Sequence, residues 1–200
     1  MGSIGASESI GRALNASGDV VGELRGGGAE QHAFLYHNGK MLDLGTLGGR
    51  TSYAIGINDR AEIAGTSETS SGHKHAFLYS NGVMKDLGTL GGDVSEASGI
   101  NNEGIVVGSS ETSNHRWVAF VYSNGAMKAL SDLVTSWDWR AFANIVPANE
   151  RGVPELSGVT AINNKGQIVA NSDWILCAPV ATFVLTPIGS AESSTSKTRE

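Results

Sequence analysis

The stretch HAFLYSNGVMKDLGTLGGDVSEASGINNEGIVVG, residues 75–108, decides the fold, because its parts recur along the chain at one interval. Phe34, Phe77 and Phe120 sit in HAFLYHNG, HAFLYSNG and VAFVYSNG, spaced by 43 and again by 43. At the same spacing Leu44 and Leu87 open LGTLGG, and Gly22, Gly65 and Gly108 end apolar pairs. Asn15, Asn58 and Asn101 close ALN, GIN and GIN, also 43 apart. Self-similarity at a fixed period marks a repeat architecture and outranks any single motif. A displaced fourth copy follows, with Asn163 lying 62 after Asn101 and Phe183 lying 63 after Phe120. The extra residues fall between Leu130 and Asn163, apart from one before Phe183.

Each unit reads as strands. SYAIGIN and SEASGIN are short and end in the turn sequences Asn58-Asp59-Arg60-Ala61 and Asn101-Asn102-Glu103-Gly104. Gly18, Gly104 and Gly166 each stand three after the repeated asparagine, where a left-handed turn residue is needed. Ala61 takes that place in the second copy, so its turn is expected to be strained or differently built. DVVGEL, EIAGTS, IVVGSS and QIVANS follow as apolar, β-branched strands. HAFLY starts the next strand, and Asn-Gly at 38–39, 81–82 and 124–125 is the strongest short hairpin signal. KMLDL, VMKDL and AMKAL complete the unit. The LGTLGG glycines read as turn glycines, with no helix after them to suit a phosphate.

Four antiparallel strands in 43 residues match a propeller blade of roughly 40–45 residues. The expected fold is all-β: tandem four-stranded antiparallel repeats forming a small β-propeller of about four blades, at the lower limit of roughly 4–8. A β-solenoid is the competing geometry, disfavoured by the hairpins. The repeat domain covers 1–189, with copies at roughly 1–43, 44–86, 87–130 and 157–188 and an insertion at 131–156. Residues 190–200, SAESSTSKTRE, read as a disordered tail. Thr186-Pro187-Ile188 replaces the Asn-Gly hairpin in the last copy, so its fourth strand is expected to be missing. Strand addition by a second chain would cover that edge and give a homo-oligomer; a monomeric open ring or a piece of a longer array is the alternative.

Composition narrows the function classes. The chain has 200 residues with 27 glycines and 4 prolines, and its net charge is -6. Lysines and arginines never cluster beyond two, which argues against a nucleic-acid surface. The longest apolar stretch, 174–185, is broken by Pro179 and Thr182 and is too short to span a membrane. The one cysteine, Cys177, excludes an internal disulfide and reads as a small buried thiol. The opening MGSIGASESIG lacks the charged and apolar regions of a secretory signal.

The repeated residues HAFLY, DLGTLGG, GIN and the apolar pair plus glycine, taken together, resemble the HAF-repeat family of extracellular repeat proteins. The last unit is similar to that family's terminal module, here reading SWDW, Ala161-Ile162-Asn163, Gly166-Gln167-Ile168-Val169 and Phe183-Val184-Leu185-Thr186-Pro187. The resemblance spans nearly all of 1–188. It implies a setting outside the cell and carries no agreed activity. Val118 and Ala181 replace the family's histidine, so that histidine is not a fourfold requirement.

Residues that recur build the repeat, so chemistry is expected among the residues that break it, in 131–179. Trp137, Trp139, Arg140 and Trp174 lie there, and Trp117 sits where a repeat departs from HAF. Tryptophans of this kind stack on sugar rings or other ligands, or else they plug the end of the core. Leu133, Val134, Trp137 and Ala141 would form an apolar stripe if Ser131 caps a helix. An acid/base pair could be drawn from Asp138, Glu150, Glu155, Asp173 and His115. His73 and His75 would share a strand face, but no third ligand stands out, so neither metal nor cofactor is expected. The leading expectation is a non-catalytic binding module for a small molecule or glycan. A cofactor-independent lyase, cyclase, isomerase or hydrolase and a purely structural repeat protein remain as alternatives.

Overall fold

A computed structural model describes residues 6–26, 31–134, 156–172 and 181–187. The protein is all-β, built of consecutive antiparallel meanders, and among the described residues no sheet closes on itself. The first meander comprises β1 (Ala6–Leu14), β2 (Val20–Gly26), β3 (Gln31–His37) and β4 (Lys40–Gly45). The second comprises β5 (Gly48–Ile57), β6 (Ile63–Thr69), β7 (Lys74–Ser80) and β8 (Val83–Asp86). The third has β9 (Gly91–Ile100), β10 (Val106–Thr112), β11 (Trp117–Ser123) and β12 (Ala126–Ala129), followed by the short helix α1 (Leu130–Leu133). In the fourth, the described strands are β13 (Gly158–Ile162), β14 (Ile168–Ser172) and β15 (Ala181–Leu185). A parallel pairing of Gln31 with Thr51 joins the first two meanders into one eight-stranded sheet.

Local chemistry sets each turn. Asn38-Gly39, Asn81-Gly82 and Asn124-Gly125 all adopt positive φ at both positions, the requirement of the tight hairpin whose twist matches its strands. The asparagine turns between first and second strands share another geometry. Asn58 Oδ1 accepts from Arg60 N at 3.0 Å and from Glu62 N at 2.9 Å, closing an Asx turn. Ala61 has φ +57, beside +80, +78 and +73 at Gly18, Gly104 and Gly166. The turn at Ala61 is therefore built like the others and carries strain.

Close approach fixes the middle of each second strand. A Cβ on Gly22, Gly65 or Gly108 would lie 1.8, 2.2 or 2.0 Å from the carbonyl oxygen of Ile10, Tyr53 or Glu96. Glycine is the only residue that fits there. The first strands are longer than their apolar pattern suggests: β5 and β9 start at Gly48 and Gly91, inside LGTLGG. Of these glycines, Gly45, Gly48, Gly88 and Gly91 do take positive φ.

The core is a series of apolar layers between successive meanders, since no single sheet can bury its own faces. Val21, Ala33 and Leu44 of the first meander pack with Ala54, Ile57, Ile63 and Phe77 of the second. Ala64, Ala76 and Leu87 meet Ala97, Val106, Phe120 and Tyr122 in the next layer. Val107, Ala119, Val121 and Leu130 meet Val159, Ile168 and Ala170 in the last. Buried serines satisfy the backbone where meanders join: Ser52 Oγ accepts from Ala33 N at 2.8 Å, and Ser95 Oγ accepts from Ala76 N at 2.9 Å. Helix α1 begins at Leu130 after Ala129, without a side-chain cap, so Ser131 lies inside it rather than capping it. Among the described residues, no helix is long and apolar enough to cross a membrane.

Candidate functional site

Near the middle of its pairing with the second strand, each first strand carries an extra residue. The register slips between Gly11 and Ala13, between Ala54 and Gly56, and between Val159 and Ala161. In the third meander, Val107 pairs with Gly99 and Gly108 with Ala97. Arg12, Ile55, Ser98 and Thr160 are thus bulged, and a bulge re-aims its side chain. Beside these bulges the cross-strand pairs are Ile10 with Glu23, Tyr53 with Thr66, Glu96 with Ser109 and Gly158 with Asn171. The surrounding scaffold repeats, while this row changes from one meander to the next.

Glu23 is fully buried, at 0% exposure. Its carboxylate accepts from Arg12 Nη2 at 3.0 Å, Arg25 Nη2 at 2.7 Å and Gln31 Nε2 at 2.6 Å. A buried charge persists only when paired in this way, because leaving it unpaired would cost several kcal/mol. The Arg12 guanidinium reaches across to the second meander and sits 5.7 Å from the centre of the Tyr53 ring, at cation–π range. Burial pushes the Tyr53 phenol above its ordinary value, opposed by a hydrogen bond with Thr66; the charges of Glu96 and Glu23 also raise it and Arg12 lowers it. Glu96 is half-buried, and among the described residues no side chain hydrogen-bonds its carboxylate. In the fourth meander Asn171 Nδ2 donates to Thr160 Oγ1 at 2.9 Å. The row therefore offers cationic, anionic, hydroxyl and amide groups beside one aromatic ring, a set suited to hydrogen-bonding a polar ligand.

The histidines of HAFLY have a structural explanation. His32 Nδ1 lies 2.8 Å from Asp43 Oδ2, and His75 Nδ1 lies 2.8 Å from Asp86 Oδ2. Asp43 Oδ1 and Asp86 Oδ1 in turn accept from the backbone N–H of Gly45 and Gly88. In the third meander the pair is lost together, with Val118 and Ala129 at the corresponding positions. His73 precedes β7, so it is not on a strand with His75. Among the described residues, no group of three or more histidine, cysteine or acidic side chains could hold a metal.

Of the residues expected to carry function, Trp137, Asp138, Trp139, Arg140, Glu150, Glu155, Asp173 and Trp174 lie outside the described residues. His115 and Trp117 are described, and both belong to the β10–β11 hairpin. Trp117 is 43% exposed and pairs across the strands with Glu111. His115 is exposed, with φ +58, and its Nδ1 lies 2.8 Å from Glu111 Oε1. Backbone donation from Asp93, then the bond to His115, holds the Glu111 carboxyl below the usual carboxylate range. Arg12, Glu23, Tyr53 and Glu96 were not expected. Their signal was available: Glu23 stands where the next copies have Thr66 and Ser109, and Tyr53 stands between Ile10 and Glu96.

Fold and site together define an all-β protein of stacked antiparallel meanders with a polar row along its first two strands. No protein-family model and no curated protein matches the chain.

Proposed function

We propose that this chain is a non-catalytic binding module, its meanders arranged as about four blades of a small β-propeller left open between the first and the last, that takes a hydroxyl-rich small molecule or a glycan. The observation that carries this reading is Glu96, a half-buried carboxylate with no side-chain hydrogen-bond partner among the described residues, next to Ala97, whose N–H donates at 3.3 Å to Thr66, the cross-strand partner of Tyr53. A carboxylate in that state suits a ligand hydroxyl as donor, and an aromatic face suits the apolar side of a sugar ring. The other carboxylate of the row, Glu23, already accepts from two arginines and a glutamine, so its part is to order Arg12. Face-to-face packing of successive meanders supports the propeller arrangement. The resemblance to HAF-repeat proteins belongs to the same proposal, and with it a place outside the cell. Trp137, Trp139 and Trp174 are the further aromatic groups against which such a ligand would stack.

Calorimetric titration against a panel of soluble oligosaccharides and polyols tests the proposal. Binding by the unaltered chain should weaken about 10-fold or more in Glu96→Gln, the loss of one charge-assisted hydrogen bond. A chain that binds no member of the panel, or a Glu96→Gln variant that binds equally well, sinks this reading.

A further inference from the structure

Each meander has two apolar faces, one turned toward the meander before it and one toward the meander after. Ile57, Tyr79 and Met84 of the second pack back onto the first, and Ile100, Tyr122 and Met127 of the third pack back onto the second. The corresponding residues of the first meander are Leu14, Tyr36 and Met41, at 70%, 42% and 40% exposure. Phe34 is buried, so the uncovered part of this leading face is the patch formed by those three.

The trailing face of the fourth meander is exposed in the complementary way at its described residues. Val21 and Leu35, Ala64 and Leu78, and Val107 and Val121 all pack forward onto the next meander. Their counterparts Val169 and Val184 are half-buried and 65% exposed. Thr182, the counterpart of the buried Ala33, Ala76 and Ala119, is exposed as well. The asparagine turns tell the same story. Asn15, Asn58 and Asn101 each donate from Nδ2 to the carbonyl oxygen of the next repeated asparagine, at 3.2, 3.0 and 3.4 Å. Asn163 Nδ2 donates to Gln167 Oε1, as Asn58 Nδ2 also does to Glu62 Oε2, and an amide NH2 has a second hydrogen with which to make the forward bond.

We infer that the leading face of one chain docks on the trailing face of a second copy, head to tail, reproducing the packing that already joins its own meanders. The occupant is a second copy because these two exposed faces are the two halves of an interface that the described residues of the chain form three times. Leu14, Tyr36 and Met41 of one copy would meet Val169, Thr182 and Val184 of the other, with Asn163 Nδ2 donating to the carbonyl oxygen of Asn15. One rung is absent: Ala16 has no side-chain acceptor for the N–H of Asn164, which distinguishes this junction from those within the chain. A head-to-tail interface leaves one face free at each end, so it closes into a ring or extends.

Sedimentation velocity over a concentration series tests the inference. The unaltered chain should form dimers and longer species, whereas Leu14→Glu and Val184→Glu should each be monomeric. Mixed in equal amounts, these two variants should form a heterodimer that grows no further, since each retains the face the other lacks. Tyr36→Lys and Thr182→Arg form a second pair, should either of the first fail to give the unaltered circular dichroism spectrum. An unaltered chain that stays monomeric to about 1 mM overturns the inference, as does a mixture that stays monomeric. Association that survives both substitutions points to a different contact and overturns it equally.

Discussion

Asn58 Nδ2 donates to the carbonyl oxygen of Asn101, 43 residues on, at 3.0 Å. The same amide holds its own turn, since Oδ1 accepts from two backbone N–H groups and Nδ2 also donates to Glu62 Oε2 at 2.6 Å. Asn58 is buried, so removing its side chain strands donors and an acceptor away from water. Asn58→Ala is expected to lower stability by about 2–3 kcal/mol, the cost of leaving such groups unsatisfied. Urea denaturation followed by tyrosine and tryptophan fluorescence gives the value. A loss under about 0.5 kcal/mol would show the turn and the rung to be ornamental, against the desolvation argument.

Ala61 gives a prediction of the opposite sign. Its φ of +57 is one that L side chains resist, and the equivalent turns place glycine there. Relief of about 1–2 kcal/mol of steric strain is offset by about 0.5–1 kcal/mol of extra entropy in the unfolded glycine chain. Ala61→Gly should therefore stabilise by about 0.5–1 kcal/mol, visible as a melting temperature raised by a few degrees. An unchanged or lower melting temperature would mean that this turn relaxes without cost.

Two glycines separate space from dihedral angle. A Cβ at Gly65 would sit 2.2 Å from the Tyr53 carbonyl oxygen and 2.6 Å from Phe77 Cζ, whereas at Gly39, φ +75, it would meet nothing within 4 Å. Gly65→Ala should cost about 3 kcal/mol or more, because backbone and a buried ring must both move. Gly39→Ala should cost only the left-handed penalty of about 1–2 kcal/mol. Equal losses in paired denaturation curves would contradict the close approach at Gly65.

Much of this architecture is legible in the sequence, for identifiable reasons. Asn-Gly at 38–39, 81–82 and 124–125 admits few geometries other than a tight hairpin, and the 43-residue interval fixes where the meanders repeat. The extent of the first strands was less legible. Gly48 and Gly49 read as turn glycines, yet β5 runs through them, because at Gly49 a Cβ would lie 2.5 Å from Glu68 Cγ and only glycine lets the strands pass so closely. The polar row was hidden for another reason. A bulge at Arg12 or Ile55 breaks the alternation that tells which side chains share a face, so Arg12, Glu23 and Tyr53 do not read as neighbours until the register is known. The tryptophans of the insertion stand out in the sequence because they break the repeat, whereas Glu23 and Glu96 are single substitutions inside repeated strands.

Asp59 links stability to acid. Its Oδ1 accepts from Ala16 N of the first meander at 3.0 Å, and its Oδ2 accepts from Asn102 Nδ2 of the third at 2.6 Å. The backbone bond from Ala16, then the bond from Asn102, holds this carboxyl below its ordinary value of 3.8. The unfolded chain thus takes up the proton first as pH falls, and wherever the unfolded state binds more protons, stability rises with pH. The contribution of Asp59 is complete above its ordinary value and is lost as pH falls through the lower value of the folded state. Asp59→Asn cannot titrate, so denaturation midpoints measured from about pH 5 to about pH 2 should fall less steeply for the variant than for the parent. Identical slopes would mean that Asp59 does not titrate differently in the folded and unfolded chains, and that its rungs to Ala16 and Asn102 do not respond to its charge.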